Sequence, residues 1–367
     1  MTLLTRRPVL RWVAPLSAAV LLGAGGSAVG VITAAARGGL PHRSAATLLV
    51  DVQKARLDGL SGTIVENARL GLPSLPGAGG SGSSDMTSLV TGSHTLRLWY
   101  GGPDHVRLAL LGSLGESDLV RNGKDLWSWS SPTRSASHRL VPAGGTDAPQ
   151  SLADGSAATP QQAADAALRA ISPTTRVTTD GTAVVAGRSA YELVLEPRDA
   201  RSLVGSVRIA VDGRTHVPTR VQVFAKGVGK PAVEVGFTSF DPSTPPATVF
   251  HFNPPPRTKV TQSSGLASGH RPARSAGARP DAGRGSAQPK VVGTGWSSVV
   301  VAAVPAGRTP GNGTLARVLE RLPRVSGSWG SGRLLRGTLF SALLTDDGRL
   351  VTGAVRPHRL YLALTSR

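Results

Sequence analysis

A long series of short apolar runs, separated by turn residues, constrains the fold of this chain more than any other feature. The runs recur between residues 95 and 252, and the dipeptides Asn122-Gly123 and Asp212-Gly213 each lie between two of them. An Asn-Gly or Asp-Gly pair between apolar runs is typical of a tight hairpin turn. The sequence has neither a strand–helix–strand repeat nor a glycine-rich phosphate turn. It therefore predicts meandering antiparallel strands in an α+β fold.

Two helices are expected to pack on one face of this curved sheet. Ser44 is a candidate cap for the first helix, in which Leu48, Leu49 and Val52 recur at helical spacing. The second helix is expected at residues 159–171, because Thr, Pro and Gln stand where a capping box requires them. The predicted strands are residues 62–66, 95–100, 106–111, 117–121, 125–130, 191–195, 206–211, 219–225, 233–237 and 249–252.

Composition divides the chain into four segments. Residues 263–290 consist largely of Ser, Gly, Ala, Arg and Pro, which cannot bury enough apolar surface to offset the entropy of ordering. We therefore predict a signal or membrane anchor at 1–40, a strand-rich domain at 41–262, a disordered linker at 263–290 and a small α+β module at 291–367. Within the module we expect a strand at 291–304, a helix at 315–322, and a hairpin of residues 338–344 and 349–355.

The N-terminus has the pattern of an export signal. Arg6, Arg7 and Arg11 precede an uncharged run from Trp12 to Ala36, which is about as long as a membrane-spanning helix requires. Two alternatives follow from this pattern. Either the chain is cleaved after Ala36 and released, or residues 12–36 anchor it as a single-pass membrane protein whose C-terminal bulk is extracytoplasmic.

The net charge of +19 comes from 41 Lys+Arg against 22 Asp+Glu, yet it does not indicate specific nucleic-acid binding. The basic residues are mostly Arg and are spread along the chain, whereas a DNA-binding module concentrates them on one recognition element. The chain has no Cys, which excludes disulfides, thiol catalysis, thiolate metal sites and a lipid-modified N-terminal cysteine.

The sequence predicts no catalytic residue, metal ligand or cofactor-binding residue. The eight His residues show no spacing typical of a metal site. The segment Gly227-Val228-Gly229-Lys230 lacks the Ser or Thr that follows the lysine of a phosphate loop. We therefore expect a protein that is not an enzyme and that needs no cofactor.

Two of the motifs in the strand-rich domain are Asn122-Gly123-Lys124-Asp125-Leu126-Trp127 and Gly187-Arg188-Ser189-Ala190-Tyr191-Glu192-Leu193. Together with four further segments they resemble the LolA/LppX-like superfamily, which contains bacterial lipoprotein carriers, lipid-binding lipoproteins and MucB/RseB regulators. The resemblance covers about residues 41–260, and its last part is the ending Phe250-His251-Phe252-Asn253-Pro254. It implies an unclosed antiparallel half-barrel with helices over its concave face and an apolar cavity beneath them. The linker and smaller C-terminal module are most similar to the MucB/RseB arrangement, and we expect an actinobacterial-type, membrane-anchored member. The chain departs from the family in having no lipobox cysteine, so we expect the long N-terminal segment to take the place of a lipid anchor. The segments that carry the resemblance are residues 44–55, 60–63, 106–108, 122–127, 187–193 and 250–254.

An apolar cavity would bind an acyl lipid or a lipoprotein by burying its hydrocarbon. Alternate residues of a strand face the same side, so Trp127 and Trp129 share a face. The residues that we predict to line the cavity are Leu108, Leu110, Trp127, Trp129, Ile209 and Phe224.

The sequence thus favours an extracytoplasmic lipid- or lipoprotein-binding carrier. The alternative is a MucB/RseB-like envelope-stress sensor that binds an anti-sigma factor or another membrane partner through residues 291–367.

Overall fold

The computed structural model describes residues 40–72, 83–84, 92–113, 115–141, 173–263, 289–304 and 319–365. These residues are mostly β: twelve strands form one large sheet and six form a smaller one. Helix α1 spans Ala45–Lys54 and helix α2 spans Pro357–Thr365. The strands are β1 Leu60–Ala68, β2 Gly92–Tyr100, β3 His105–Gly112, β4 Gly115–Asn122, β5 Asp125–Ser130, β6 Ser135–Leu140, β7 Thr175–Val185, β8 Arg188–Pro197, β9 Val204–Asp212, β10 Pro218–Ala225, β11 Pro231–Asp241, β12 Lys259–Ser263, β13 Lys290–Val292, β14 Val299–Ala303, β15 Arg324–Gly327, β16 Gly330–Arg336, β17 Ser341–Thr345 and β18 Arg349–Gly353.

Strand β1 lies in the interior of the large sheet and joins its two halves. It pairs antiparallel with β2 on one side and with β11 on the other. From β2 the sheet continues strand by strand to β6, and from β11 it continues in reverse order to β7. Strand β12 pairs in parallel with β6 at one edge. Within the described residues the edge strands β12 and β7 do not pair with each other, so the large sheet is unclosed.

The two sides of the large sheet differ in chemistry. Successive side chains of a strand point to opposite sides, and cross-strand partners share a side. One side carries Ile64, Leu96 and Leu110, which are in register across β1, β2 and β3; we call the side of these residues the apolar face. The other side carries Trp99 and Arg107, which are partners across β2 and β3; we call it the polar-aromatic face.

The main hydrophobic core lies on the apolar face. Buried side chains of β1–β3 and β8–β11 form one cluster with Leu48 and Leu49 of α1 and with Leu339, which precedes β17. The predicted cap of α1 is confirmed, since the Thr47 amide donates a 3.1 Å hydrogen bond to the Ser44 hydroxyl. Helix α1 therefore packs against the sheet through an apolar side that its sequence already shows.

The smaller sheet has a core of its own. Its strand order is β13-β14-β18-β17-β16-β15, and all of its pairings are antiparallel. Leu360 and Ala363 of α2 pack with Leu334, Leu343 and Val351 of the sheet. The predicted hairpin across residues 346–348 is confirmed by the pairing of β17 with β18.

Hydrogen bonds and apolar contacts join the smaller sheet to the large one. The Leu203 amide donates to the Ala354 carbonyl at 2.8 Å, and the Thr338 amide donates to the Leu70 carbonyl at 2.8 Å. The Trp296 indole donates to the Thr175 hydroxyl at 2.8 Å. The two sheets therefore pack as neighbours.

Three sequence predictions need correction. Residues 291–304 form β13 and β14 instead of one strand, because Gly293 and Gly295 adopt positive φ angles of 86° and 61°. Residues 249–252 belong to a 3₁₀ turn and an extended segment, since the turn Ala247–Phe250 follows Pro245 and Pro246. The hairpin strand predicted at 338–344 begins later, at Ser341.

Further elements were missed or lie outside the described residues. Strands β6, β7, β12, β15 and β16 were not predicted, although all five pair in sheets. The helix expected at 159–171 and nearly all of the linker at 263–290 fall outside the described residues.

The predicted localisation as a single-pass membrane protein is also corrected. Among the helices that the structure describes, none is both long enough and apolar enough to cross a bilayer. The predicted signal or anchor at residues 12–36 lies outside the described residues.

Asp212 organises the turn between β9 and β10. Its carboxylate is 1% exposed and accepts hydrogen bonds from the Arg188 guanidinium at 2.6 and 3.0 Å. It also accepts hydrogen bonds from the amides of Arg214 and Thr215. Burial alone would raise the pKa of Asp212, but these hydrogen bonds outweigh it and lower the pKa to about 2.

We predict that Asp212→Asn destabilises the fold by about 2 kcal/mol at pH 7, because Arg188 loses its charged partner in a half-buried site. The folded-state pKa of Asp212 lies below its ordinary value of 3.8, so the stabilisation is present above pH 3.8 and is lost as the pH falls through about 2. Urea unfolding of both proteins between pH 2 and 7 measures this. Asp58→Asn, at an exposed position, is the control and should change stability by less than about 0.5 kcal/mol. Equal stability of Asp212→Asn and wild type at pH 7 would contradict the assignment.

Candidate functional site

A continuous row of side chains crosses six strands on the apolar face. Its centre is the pairing of Glu66 in β1 with Val235 in β11. From Val235 the row continues through the cross-strand partners on β10, β9 and β8. In the other direction, from Glu66, it ends at the partner residue on β2. It is apolar from β11 to β8 and polar at β1 and β2. In order, its members are His94, Glu66, Val235, Val221, Ile209 and Leu193.

Glu66 is a carboxyl group in an apolar environment. Its side chain is 0% exposed, and neither carboxyl oxygen has a hydrogen-bond partner among the described residues. Burial penalises the charged form and raises the pKa of Glu66 to about 8. At neutral pH the group is therefore mainly a neutral carboxylic acid, which has one O–H donor and a carbonyl acceptor.

His94 faces Glu66 across the strand pair. It is 2% exposed, and its Nδ1 lies 3.2 Å from the Ser83 carbonyl oxygen. This contact fixes the orientation of the ring. Glu66 and His94 are therefore two buried polar side chains at one end of an otherwise apolar row.

The six predicted cavity residues lie on both sides of the sheet. Leu110 and Ile209 lie on the apolar face, where Leu110 is completely buried and Ile209 packs against the main core. Leu108 shares their side, because it is two residues from Leu110 on β3. Trp127, Trp129 and Phe224 lie on the polar-aromatic face, as their cross-strand partners show. The six therefore do not border one common space, and their role in binding stays a prediction.

The two tryptophans of β5 share a face and pack against other parts of the chain. The Trp127 ring stacks on His138 with 4.3 Å between ring centres. Phe252 lies 5.4 Å from Trp127 and 6.3 Å from Trp129. Residues 247–252 thus pass over the polar-aromatic face and fill it at this end of the sheet.

The rest of the polar-aromatic face is dominated by ion pairs. Arg107 donates to Asp118 at 2.6 Å, and its guanidinium carbon lies 5.5 Å from the centre of the Trp99 ring. Arg208 donates to Glu192 at 2.7 Å and lies 5.8 Å from the Phe224 ring centre.

An open groove of about 330 Å³ lies on the polar-aromatic face, beside Trp99 of β2. Serine and threonine hydroxyls, two aromatic rings and two charged groups border it. Its lining residues are Ser61, Gly62, Thr63, Arg97, Trp99, Ser239, Phe240 and Asp241.

Side chains from several segments outside the sheet pack on the apolar face, including Leu40, Leu70 and Leu72 from the segments that flank α1 and β1. Helix α1 contributes Leu48 and Leu49 to the buried cluster, and the module beyond residue 289 contributes Leu339. Phe340 and Trp296 of the same module pack against the cluster from its margin. The apolar face is therefore covered jointly by the helix, by the segments beside it and by the module.

The structure shows two features that sequence reasoning missed. One is the polar pair of Glu66 and His94, and the other is the contact of Leu339 with the core. A signal for Glu66 was present, because it stands two residues after Ile64 and must share its apolar side of β1. No local signal places Leu339 on a strand that is more than 200 residues earlier in the chain.

The residues that the structure describes form no candidate metal-binding site. No three of its described His, Asp and Glu side chains approach closely enough to hold a metal ion.

We predict that Glu66 makes the stability of the protein fall between pH 4.5 and about 8. Its folded-state pKa is raised from 4.5 to about 8, so only the unfolded chain loses this proton within that window. The contribution is at most about 1.4 kcal/mol per pH unit and is flat outside the window. Chemical unfolding of wild type and Glu66→Gln across this range measures it, and the variant should lack this part of the slope. Glu196→Gln, at a partly exposed position, is the control. An unchanged slope in Glu66→Gln would contradict the prediction.

Comparisons with known proteins found similar solved structures. The sequence matches no family model and no curated protein. The complex of MucA and MucB from Pseudomonas aeruginosa aligns at 16% identity over 88% of this chain and 97% of that chain, with a TM-score of 0.42. An uncharacterized conserved protein from Thermus thermophilus aligns at 11% identity over 59% and 97% of the two chains, with a TM-score of 0.34. A LolA superfamily protein from Nitrosomonas europaea aligns at 12% identity over 57% and 99%, with a TM-score of 0.20.

None of these three proteins is described as an enzyme. With identities below 20% and TM-scores below 0.5, the alignments carry no argument about what this chain binds. The solved structures similar to this chain include MucB and a LolA superfamily protein, as the sequence resemblance predicts, whereas nothing in them supports an actinobacterial type.

Proposed function

We propose that this protein binds the acyl chain of a lipid or an acylated protein on the apolar face of its large sheet. One observation carries the proposal. The apolar face extends across seven strands of an unclosed sheet. Among the described residues, the side chains that pack on it from outside the sheet come from helix α1, from the segments at residues 40 and 70–72, and from the second module. In this proposal the sheet is a half-barrel, and α1 and the module cover its concave side.

The energy of such binding comes from burial of hydrocarbon. Each CH₂ group that leaves water contributes about 0.8 kcal/mol, so a long acyl chain binds without a charged partner. The apolar face supplies Val235, Val221 and Ile209 as a continuous row for this contact. These three side chains are only partly buried in this structure, so the proposed ligand would contact them as neighbouring covering side chains move.

The experiment compares two variants that lie on neighbouring strands but on opposite faces. We expect Ile209→Ser to weaken binding of monopalmitoylglycerol by about tenfold, because an isoleucine contact with the chain contributes about 1.5 kcal/mol. Phe224→Ser, on the polar-aromatic face, is the matched control and should change the affinity less than twofold. Native mass spectrometry and equilibrium dialysis of the full chain measure the binding, and thermal unfolding shows that each variant is folded.

Two results would count against the proposal. If the wild-type protein does not bind monopalmitoylglycerol, the proposed function is wrong. If Ile209→Ser and Phe224→Ser weaken lipid binding equally, the binding site is not on the apolar face.

A second candidate function is a regulator that reports ligand binding to a membrane partner, such as an anti-sigma factor, through residues 291–367. The observation that favours it is the position of Leu339, which is buried in the same cluster as the apolar face. A ligand that enters the apolar face competes with this contact. Because Leu339 belongs to the same cluster as the apolar face, ligand binding would alter the docking of the module and thereby the surface offered to a partner.

We predict that monopalmitoylglycerol raises amide hydrogen exchange at Leu203 and Thr338, whose amides donate hydrogen bonds between the two sheets. The Gly213 amide, which bonds to Ser189 within the large sheet, is the internal control and should not change. Mass spectrometry after exchange in deuterated water measures both. Unchanged protection at Leu203 and Thr338 with lipid bound would exclude this coupling and leave the carrier function in place.

A further inference from the structure

Glu66 has no partner in the described structure that accounts for its burial. A buried polar group without a hydrogen bond destabilises a fold, and a leucine at the same place would avoid this cost. Both oxygens of Glu66 lack a hydrogen-bond partner among the described residues. Its neighbours Val235 and Ile64 are apolar. Its other cross-strand partner, the buried His94, makes no hydrogen bond to either carboxyl oxygen. The carboxyl group therefore calls for a partner that is not part of the described chain.

The chemistry of Glu66 narrows what this partner is. In its neutral form the acid donates one O–H and has no charge with which to attract a cation. The described residues around it provide no cluster of His, Asp or Glu for a metal ion. A carbonyl oxygen in an otherwise apolar molecule satisfies the donor without bringing a charge into the core. The ester carbonyl of an acyl lipid is such a group, because it joins the apolar chain to the polar headgroup.

The position of Glu66 fits the end of an acyl chain. The row from β1 to β8 crosses four strand spacings, or about 19 Å, which is similar to the length of an extended palmitoyl chain. Glu66 stands at the start of this row, and Val235, Val221, Ile209 and Leu193 follow. A chain that lies along the row would place its carbonyl at Glu66 and its hydrocarbon on the four apolar residues.

We propose that Glu66 is the polar subsite of the apolar face and that its carboxylic acid donates a hydrogen bond to the ester carbonyl oxygen of a bound acyl chain. This inference rests on the proposed lipid-binding function and specifies its ligand as an acyl ester. The raised pKa agrees with it, since the acid keeps its proton at neutral pH.

The test uses two lipids that differ at the carbonyl group. Monopalmitoylglycerol has the ester carbonyl, and 1-O-hexadecylglycerol has an ether in its place. We expect wild-type protein to bind the ester about tenfold more tightly at pH 7, the effect of one hydrogen bond of about 1.4 kcal/mol. Glu66→Leu should bind both lipids equally, with its affinity for the ether unchanged. Glu66→Gln keeps a donor and should retain part of the preference for the ester.

The outcomes separate the subsite from the proposed function. If wild type binds both lipids equally, the subsite is overturned and lipid binding stands. If the preference for the ester survives in Glu66→Leu, the carbonyl is recognised elsewhere and the subsite is again overturned. If wild type binds neither lipid, the lipid-binding function fails and the subsite fails with it. The wild-type comparison needs no variant, so it decides the matter even where Glu66→Leu does not fold.

Discussion

The pairing of β1 with both β2 and β11 is the interaction on which the rest of the structure depends. Each half of the large sheet is a meander of consecutive strands, which local hairpins can form. Joining the halves requires residues 61–68 to pair with residues 233–241, a contact between distant parts of the chain. Without it each half would have a further unpaired edge, which favours aggregation. The same pairing brings Val235 beside Glu66 and makes one row across both halves.

An open sheet of this size must bury one face, and the two faces of this sheet are covered in different ways. On the polar-aromatic face, charged side chains form ion pairs with one another. Residues 247–252 cover one end of this face, where Phe252 packs against Trp127 and Trp129. The apolar face is covered by α1, by the segments at residues 40 and 70–72, and by the smaller module. Covers of this kind are held by fewer contacts than the strands beneath them, so they are the elements that open most readily. In the proposed function, binding at the apolar face and docking of the module are therefore linked.

Some of the fold was readable from the sequence because its signals are local. The Ser44 cap, the Asn122-Gly123 turn and most strands of the large sheet depend on neighbouring residues. Strand β12 was missed because it pairs in parallel with β6, and no local pattern selects a parallel partner. The single strand expected at 291–304 was wrong because two glycines with positive φ separate β13 from β14.

The sequence by itself determined the strand-rich, antiparallel character of the large sheet, the position of several of its turns, and the absence of thiol chemistry, since each follows from residue types and short-range spacing. Only the tertiary structure decided which side of each strand is buried, and it divided the six predicted residues between two faces. A period of two shows that Trp127 and Trp129 share a side, but it does not show whether Leu110 shares it. The register across β1, β2 and β11 settles this, and the same register places the carboxyl group of Glu66 in the apolar row.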